Sequence, residues 1–106
     1  MEDDVLLWLQ GFYESLCDGE WDHSEGIRIE TLDNPGWLVF LNLEETDIDV
    51  PDMEIFVREG SERDWVHCRI LNRRWEGFGG PGNLKEILVT LKNWSISGMG
   101  QAIVDN

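Results

Sequence analysis

The sequence predicts an α+β domain in which an antiparallel sheet of about five strands, in meander order, carries both helices on one face. Apolar residues recur at spacings of three and four near both ends of the chain, and at spacings of two between them. The first spacing is typical of a half-buried helix and the second of a half-buried strand. Short turn sequences separate the strand segments, which favours antiparallel neighbours that follow one another in the chain.

The first helix is predicted over residues 2–17. Its three opening carboxylates, at residues 2–4, interact favourably with the positive end of the helix dipole. Gly19 is available to end the helix in a left-handed conformation. One apolar stripe marks the face that this helix buries: Val5, Trp8, Leu9, Phe12 and Leu16.

Five segments between the helices have the pattern of strands. Residues 26–32 alternate apolar with charged side chains, as expected of a strand with one buried face. A Pro35-Gly36 turn then leads into a segment that is apolar on both faces, which predicts a central strand. The predicted strands span residues 26–32, 37–43, 53–58, 64–71 and 74–78.

A glycine-rich break at residues 79–82 precedes the second helix, for which Asn83 is the predicted N-cap. This helix is predicted to end near Gly98, so that one domain spans residues 1–98 and a C-terminal tail spans residues 99–106. Its buried stripe is Leu84, Ile87, Leu88, Leu91 and Trp94.

The charge of the chain is strongly segregated. Residues 1–54 contain sixteen aspartates and glutamates and one base, Arg28, which gives −15, whereas residues 55–106 sum to +1, for the total of −14. Such a field repels nucleic acids and anionic membranes, and it accelerates association with a basic partner. The charge therefore predicts a basic protein partner, no nucleic-acid binding and no membrane binding.

The chain has no apolar run long enough to span a bilayer, and its acidic start differs from the basic start of a secretory signal. Its two cysteines, Cys17 and Cys68, are too few for a disulfide scaffold, which predicts reduced thiols in a cytoplasmic protein. No cofactor is predicted, and a monomer is favoured.

Residues 18–24 place oxygen ligands at alternate positions, as a calcium loop does, but His23 stands where the turn needs glycine and Ile29 where a bidentate glutamate should close the loop. A solvated acidic loop is therefore predicted and no metal site. A small acidic regulatory or cation-binding module remains the alternative function.

Cysteine and histidine occur near each other at Cys17 and His23, and side by side at His67 and Cys68. Neighbours on a strand point to opposite faces, so the second pair is not expected to bind one zinc ion. The first pair has no evident orienting group or oxyanion hole. No catalytic residue is predicted, and a small enzyme that uses Cys17 or a pair of carboxylates remains a further alternative.

Several strings resemble the immunity protein 53 family, over the chain from about Trp8 to Trp94. Two are specific, Asp-Gly-x-Trp-x-His-Ser at residues 18–24 and Thr-Leu-Asp-Asn-Pro-Gly-Trp at residues 31–37. Asp64-Trp65 with Cys68, and Asn83-Leu84-Lys85-Glu86-Ile87-Leu88, are further landmarks of the family. The resemblance implies a bacterial immunity protein that binds a toxin encoded beside it and blocks it without catalysis.

The resemblance assigns no residue to toxin contact. The density of carboxylates along the sequence predicts the contact residues instead. Two acidic loops, residues 18–25 and 44–52, lack the spacing of core residues, and a basic toxin such as a nuclease would be attracted to both. Trp21 is the expected aromatic anchor. The residues predicted to contact the toxin are Asp18, Glu20, Trp21, Asp22, Glu25, Glu44, Glu45, Asp47 and Asp49.

Overall fold

The computed structural model describes residues 4–17, 26–44, 46 and 48–97. Within them lie the helices α1 (Val5–Leu16) and α2 (Leu84–Ser97) and the strands β1 (Ile27–Leu32), β2 (Gly36–Asn42), β3 (Met53–Ser61), β4 (Asp64–Ile70) and β5 (Arg74–Gly79). All neighbouring strands pair antiparallel. The α+β class and the five-stranded sheet with a helix from each end of the chain are confirmed.

The predicted meander order is wrong at one connection. The observed order is β1-β2-β5-β4-β3, so β2 pairs with β5 and not with its successor β3. Three of the four connections are tight turns, which keep consecutive strands adjacent. The described residues between β2 and β3 (43, 44, 46 and 48–52) instead lie at the end of the sheet, and β3 is an edge strand.

Strand β5 occupies the centre because it lets α2 approach the sheet closely. A Cβ atom at Gly77 would lie 2.5 Å from Ile87 Cγ2, so a side chain at this position would collide with the helix. On the same face, Trp75 is completely buried, and its ring lies 6.4 Å from that of Trp94. Trp75 therefore packs inside the core, although its position in the sequence does not place it on a core stripe.

Both helices pack on this same face of the sheet. Helix α2 crosses the central strands, and α1 packs beside α2. Leu9 and Tyr13 of α1 line a shallow groove with Ile27 of β1, and Ile27 pairs across the sheet with the buried Leu41. The predicted apolar stripes of both helices join the core. In the part of the chain that the structure describes, no helix has the length and apolarity needed to cross a bilayer.

Candidate functional site

The residues predicted to contact a toxin lie in two acidic segments, of which the structure describes a part. Glu44 and Asp49 are described, and both are exposed. The remaining predicted contact residues lie outside the described part of the chain: Asp18, Glu20, Trp21, Asp22, Glu25, Glu45 and Asp47.

The described residues that border the two acidic segments lie together at one end of the sheet. Gly26, which follows the first segment, accepts a hydrogen bond from the Asn42 N–H through its carbonyl oxygen at 2.9 Å. Asn42 ends β2, and its Oδ1 accepts from the Glu44 N–H at 3.1 Å. The N–H of Leu43, the residue after Asn42, donates to the Arg73 carbonyl oxygen at 3.0 Å. We call residues 26, 42–44, 48–52 and 71–74 the acidic end.

Arg73 holds the second acidic segment against the sheet. Its Nη2 donates to the carbonyl oxygens of Leu43 at 3.0 Å and Ile48 at 3.4 Å, and its Nη1 lies 3.3 Å from Asp49 Oδ1. Both Asn72 and Arg73 have positive φ, 54° and 60°, as a two-residue hairpin with a type I′ turn requires. A left-handed arginine costs backbone free energy, which its contacts with the connector offset.

Apolar side chains fix the same segment from the inside. Ile48 is buried, and Val50 packs against the core. Thr46 bridges the end of β2 and Ile48 through its hydroxyl group. Its Oγ1 donates to the Leu43 carbonyl oxygen at 2.6 Å and accepts from the Ile48 N–H at 3.2 Å. With the apolar residues inside, the Asp49 side chain is 91% exposed. Its carboxylate stays hydrated and accessible to a partner.

Among the described residues, no cluster of three or more histidine, cysteine, aspartate or glutamate side chains is arranged to hold a metal ion. The segment that resembles the start of a calcium loop, and His23 within it, lie outside these residues. Asp52 is described, and its Oδ1 accepts a hydrogen bond from the Asn72 N–H at 2.9 Å. This carboxylate therefore ties the connector to the β4–β5 turn.

The two thiols are free and differ in their surroundings. Cys68 is completely buried, and burial raises its pKa to about 12, so it is a neutral thiol at physiological pH. Its neighbour His67 points to the other face of the sheet, with Nε2 2.6 Å from Glu54 Oε1. Cys17 is exposed, and its Sγ donates to the Tyr13 carbonyl oxygen at 3.4 Å. His67 and Cys68 therefore cannot ligate one ion.

The face of the sheet opposite the helices carries an ordered set of arginine and aromatic side chains. Arg69 lies 5.4 Å from the ring centroid of Phe78, and its Nε donates to Glu76 Oε1 at 2.9 Å. Arg74 lies 5.2 Å from the ring centroid of Phe40. Arg69 and Arg74 therefore each lie over an aromatic ring of this face, whereas the Arg73 side chain turns towards the connector between β2 and β3.

A groove between β3 and α2 has no counterpart in the sequence prediction. Its volume is about 540 Å³, and residues of both elements line it, among them Met53, Phe56, Val89 and Trp94. A β-bulge between Glu54 and Phe56 creates the β3 wall. Met53 and Phe56 pair with Ile70 and Cys68, so the bulge places them on one face although their separation in sequence is odd. No local sequence signal marks this bulge.

Arg58 closes one end of the groove. Its Nε and Nη2 donate to the two carboxylate oxygens of Glu86 at 2.7 and 2.8 Å, and Nη2 also donates to Asp64 Oδ1 at 2.7 Å. Asn83 Nδ2 donates to the same Asp64 oxygen at 3.1 Å. The hydrogen bond from Arg58, and then that from Asn83, hold the pKa of Asp64 below its usual value. This network ties β3, β4 and the start of α2 together.

The described residues thus form a two-layer α+β protein with an acidic end, an apolar groove beside it, and a buried thiol that is not ionised. The sequence model of the immunity protein 53 family matches residues 6–96, and the chain belongs to this family. Membership in the family gives the protein an immunity function, with a protein toxin as its partner. Comparisons with curated proteins and with solved structures give no match.

Proposed function

We propose that this protein binds the domain of a secreted bacterial toxin, encoded beside it, and neutralises that domain by stoichiometric inhibition in the cytoplasm of the producing cell. The match to the immunity protein 53 family over residues 6–96 carries this proposal. Inhibition by binding requires no catalytic group in the immunity protein, and burial keeps the Cys68 thiol from acting as a nucleophile.

We further propose that the toxin is basic, as is a nuclease that holds a phosphate backbone. The net charge of −14 and its concentration in residues 1–54 support this choice of partner. Opposite charge on the two proteins accelerates encounter, and it guides the acidic end towards the toxin surface that binds substrate.

The contact residues of this proposal are those of the two acidic segments. Glu44 and Asp49, the two proposed contact residues that the structure describes, are exposed. Hydrogen bonds from Arg73 hold the backbone beneath them. A rigid backbone lowers the entropy lost on binding. The remaining proposed contacts, with Trp21 as the aromatic anchor, are Asp18, Glu20, Trp21, Asp22, Glu25, Glu45 and Asp47.

Co-expression with the adjacent toxin domain tests the general function. We expect the protein to restore growth and to co-purify with the toxin domain as a stable complex. Rescue without a complex would favour an enzyme that repairs or modifies the toxin's target, and stability that depends on added divalent cations would favour a cation-binding module. Absence of both rescue and complex would reject the proposal.

A double charge reversal tests the acidic end. The toxin domain is separated from its complex under denaturing conditions and refolded for the titration. Glu44→Lys/Asp49→Lys is expected to weaken toxin binding at least about tenfold at low salt and to reduce the salt dependence of binding. Asp33→Lys/Glu62→Lys is the matched control, since it makes the same charge change at exposed turns at the opposite end of the sheet. Equal effects of the two variants would show that only total charge matters.

A further inference from the structure

The groove between β3 and α2 leaves large apolar side chains in contact with water. Met53 is 47% exposed and Phe56 is 38% exposed, on the longest strand of the sheet and at its edge. Edge strands with exposed apolar side chains are templates for association, and proteins usually protect them. Such a patch on a protein otherwise rich in surface carboxylates is typical of an interaction site.

Defined contacts fix the positions of the two walls of the groove. Helix α2 packs over the central strands, while Arg58 bridges β3 to Glu86 at one end through two hydrogen bonds of 2.7 and 2.8 Å. Between them, the Ile55 bulge turns Met53 and Phe56 towards Val89 of α2. The groove is therefore a preformed feature, and filling it costs little reorganisation.

The other end of the groove opens at the acidic end. Met53 follows the acidic connector directly and pairs with Ile70, next to the Asn72-Arg73 turn. Trp94 lines the groove here, and its ring lies 6.4 Å from that of Trp75, the residue after Arg74. Exposed carboxylates of Asp52 and Glu54 flank Met53 on both sides in sequence. An apolar centre beside a polar, acidic rim is the usual composition of a protein interface.

We propose that this groove anchors the toxin, which inserts a large apolar side chain flanked in its own chain by lysine or arginine. This inference rests on the proposed function and adds a second surface, continuous with the acidic end. Charge complementarity supports this partner: a basic flank matches the exposed Asp52 carboxylate at the acidic end, where the groove opens, and the net charge of −14. A second copy of the chain is disfavoured, because two molecules of net charge −14 repel each other.

Lysine substitutions at the two edges of the sheet test this assignment. Phe56 on β3 is 38% exposed and Ile29 on β1 is 39% exposed, so Phe56→Lys and Ile29→Lys make the same charge change at matched positions. Titration of each with the refolded toxin domain should show at least about tenfold weaker binding for Phe56→Lys, and less than about threefold for Ile29→Lys. Met53→Lys, at 47% exposure, repeats the test if Phe56→Lys does not fold.

Each outcome is decisive. If the wild-type protein does not bind the toxin domain, the proposed function fails together with the groove assignment. If the wild type binds and the β3 variants bind equally well, only the groove assignment fails. Hydrogen exchange gives a second readout, since toxin should protect the amides of residues 53–57 more than those of residues 27–31.

Two other occupants would also overturn the assignment. Sedimentation would reveal a wild-type dimer that Phe56→Lys dissociates, in which case a second copy fills the groove. Truncation after Ser97 would increase exchange at Phe56 in the free protein if the chain's own C-terminal residues filled it. The expected results are a monomer and unchanged exchange.

Discussion

At the acidic end of the sheet the long Arg73 side chain spans a gap to the connector, whereas at the opposite end segments of backbone lie in direct contact. Arg73 spans the gap to the carbonyl oxygens of Leu43 and Ile48. At the other end, a Cβ atom at Gly36 would collide with the Gly79 carbonyl oxygen, and one at Gly80 would collide with the Arg63 carbonyl oxygen. We call this second region, Gly36, Gly79, Gly80 and Asn83, the glycine end.

Asn83 completes the glycine end. Its carbonyl oxygen accepts from the Ile87 N–H at 3.0 Å, as expected of the residue before a helix. Its side chain is turned to the sheet, where Oδ1 accepts from the Trp65 N–H at 3.2 Å, and Gly80 N–H donates to the Trp65 carbonyl oxygen at 3.1 Å. This end has little space for altered side chains, while the exposed carboxylates of the acidic end can change without disturbing the core.

The largest effect is expected from Gly80→Ala. The new methyl group would meet Arg63 backbone and lie 2.8 Å from Asn83 Oδ1, so the turn must shift, and we expect a loss of about 3 kcal/mol in the free energy of unfolding. Urea denaturation measures it. Gly82→Ala is the control in the same loop, because no atom beyond its neighbours in the chain lies within 4 Å of its new Cβ. Similar values for the two variants would contradict the steric account of the glycine end.

A smaller effect is expected at the acidic end from Arg73→Ala. It removes charged hydrogen bonds to two carbonyl oxygens and keeps the left-handed backbone, which should cost about 1–2 kcal/mol in unfolding free energy. Arg73→Gly loses the same contacts and relieves the backbone, so it should be about 1 kcal/mol more stable than Arg73→Ala.

Asp49→Asn is the control for the Arg73 variants. The Asp49 side chain is 91% exposed, and exposed ion pairs contribute little, so its change in unfolding free energy should stay within about 0.5 kcal/mol. If Asp49→Asn destabilised the protein as much as Arg73→Ala, the ion pair and not the carbonyl contacts would hold the connector.

The smallest effect is expected from the acid response of Asp64, which accepts a hydrogen bond from Asn83 of the glycine end. The folded state lowers the pKa of Asp64, so this carboxylate stabilises the fold above its unfolded pKa of about 3.9, and that contribution is lost as pH falls through the lower folded pKa. Asp64→Asn should therefore make the stability less dependent on pH below about 4. Thermal unfolding between pH 5 and 2 measures this pH dependence. Arg58→Leu removes the hydrogen bond from Arg58 to Asp64, so Asp64→Asn in that background should change the pH dependence much less.

Part of the candidate site could be predicted from charge alone. Glu44 and Asp49 are exposed, while their contact with a toxin stays a prediction, and the solvated loop predicted at residues 18–24 lies outside the described residues. The groove could not be predicted, because a bulge brings Met53 and Phe56 to one face and disrupts the alternation on which strand prediction rests. Arg73 as the residue that holds the connector was equally hidden, since its bonds reach residues far away in the sequence.

The sequence by itself determined the α+β class, the helices with their buried stripes, and the positions of the strands, because periodicity and turn residues are local properties of the chain. Tertiary structure alone decided that β5 lies between β2 and β4, that Trp75 is buried, and that β3 is an exposed edge beside a groove. The physical reason is that strand order depends on how the whole chain packs. Gly77 admits Ile87 of α2 only when β5 lies beneath the helix, and β5 is placed there by its pairing with β2, a strand far away in the sequence.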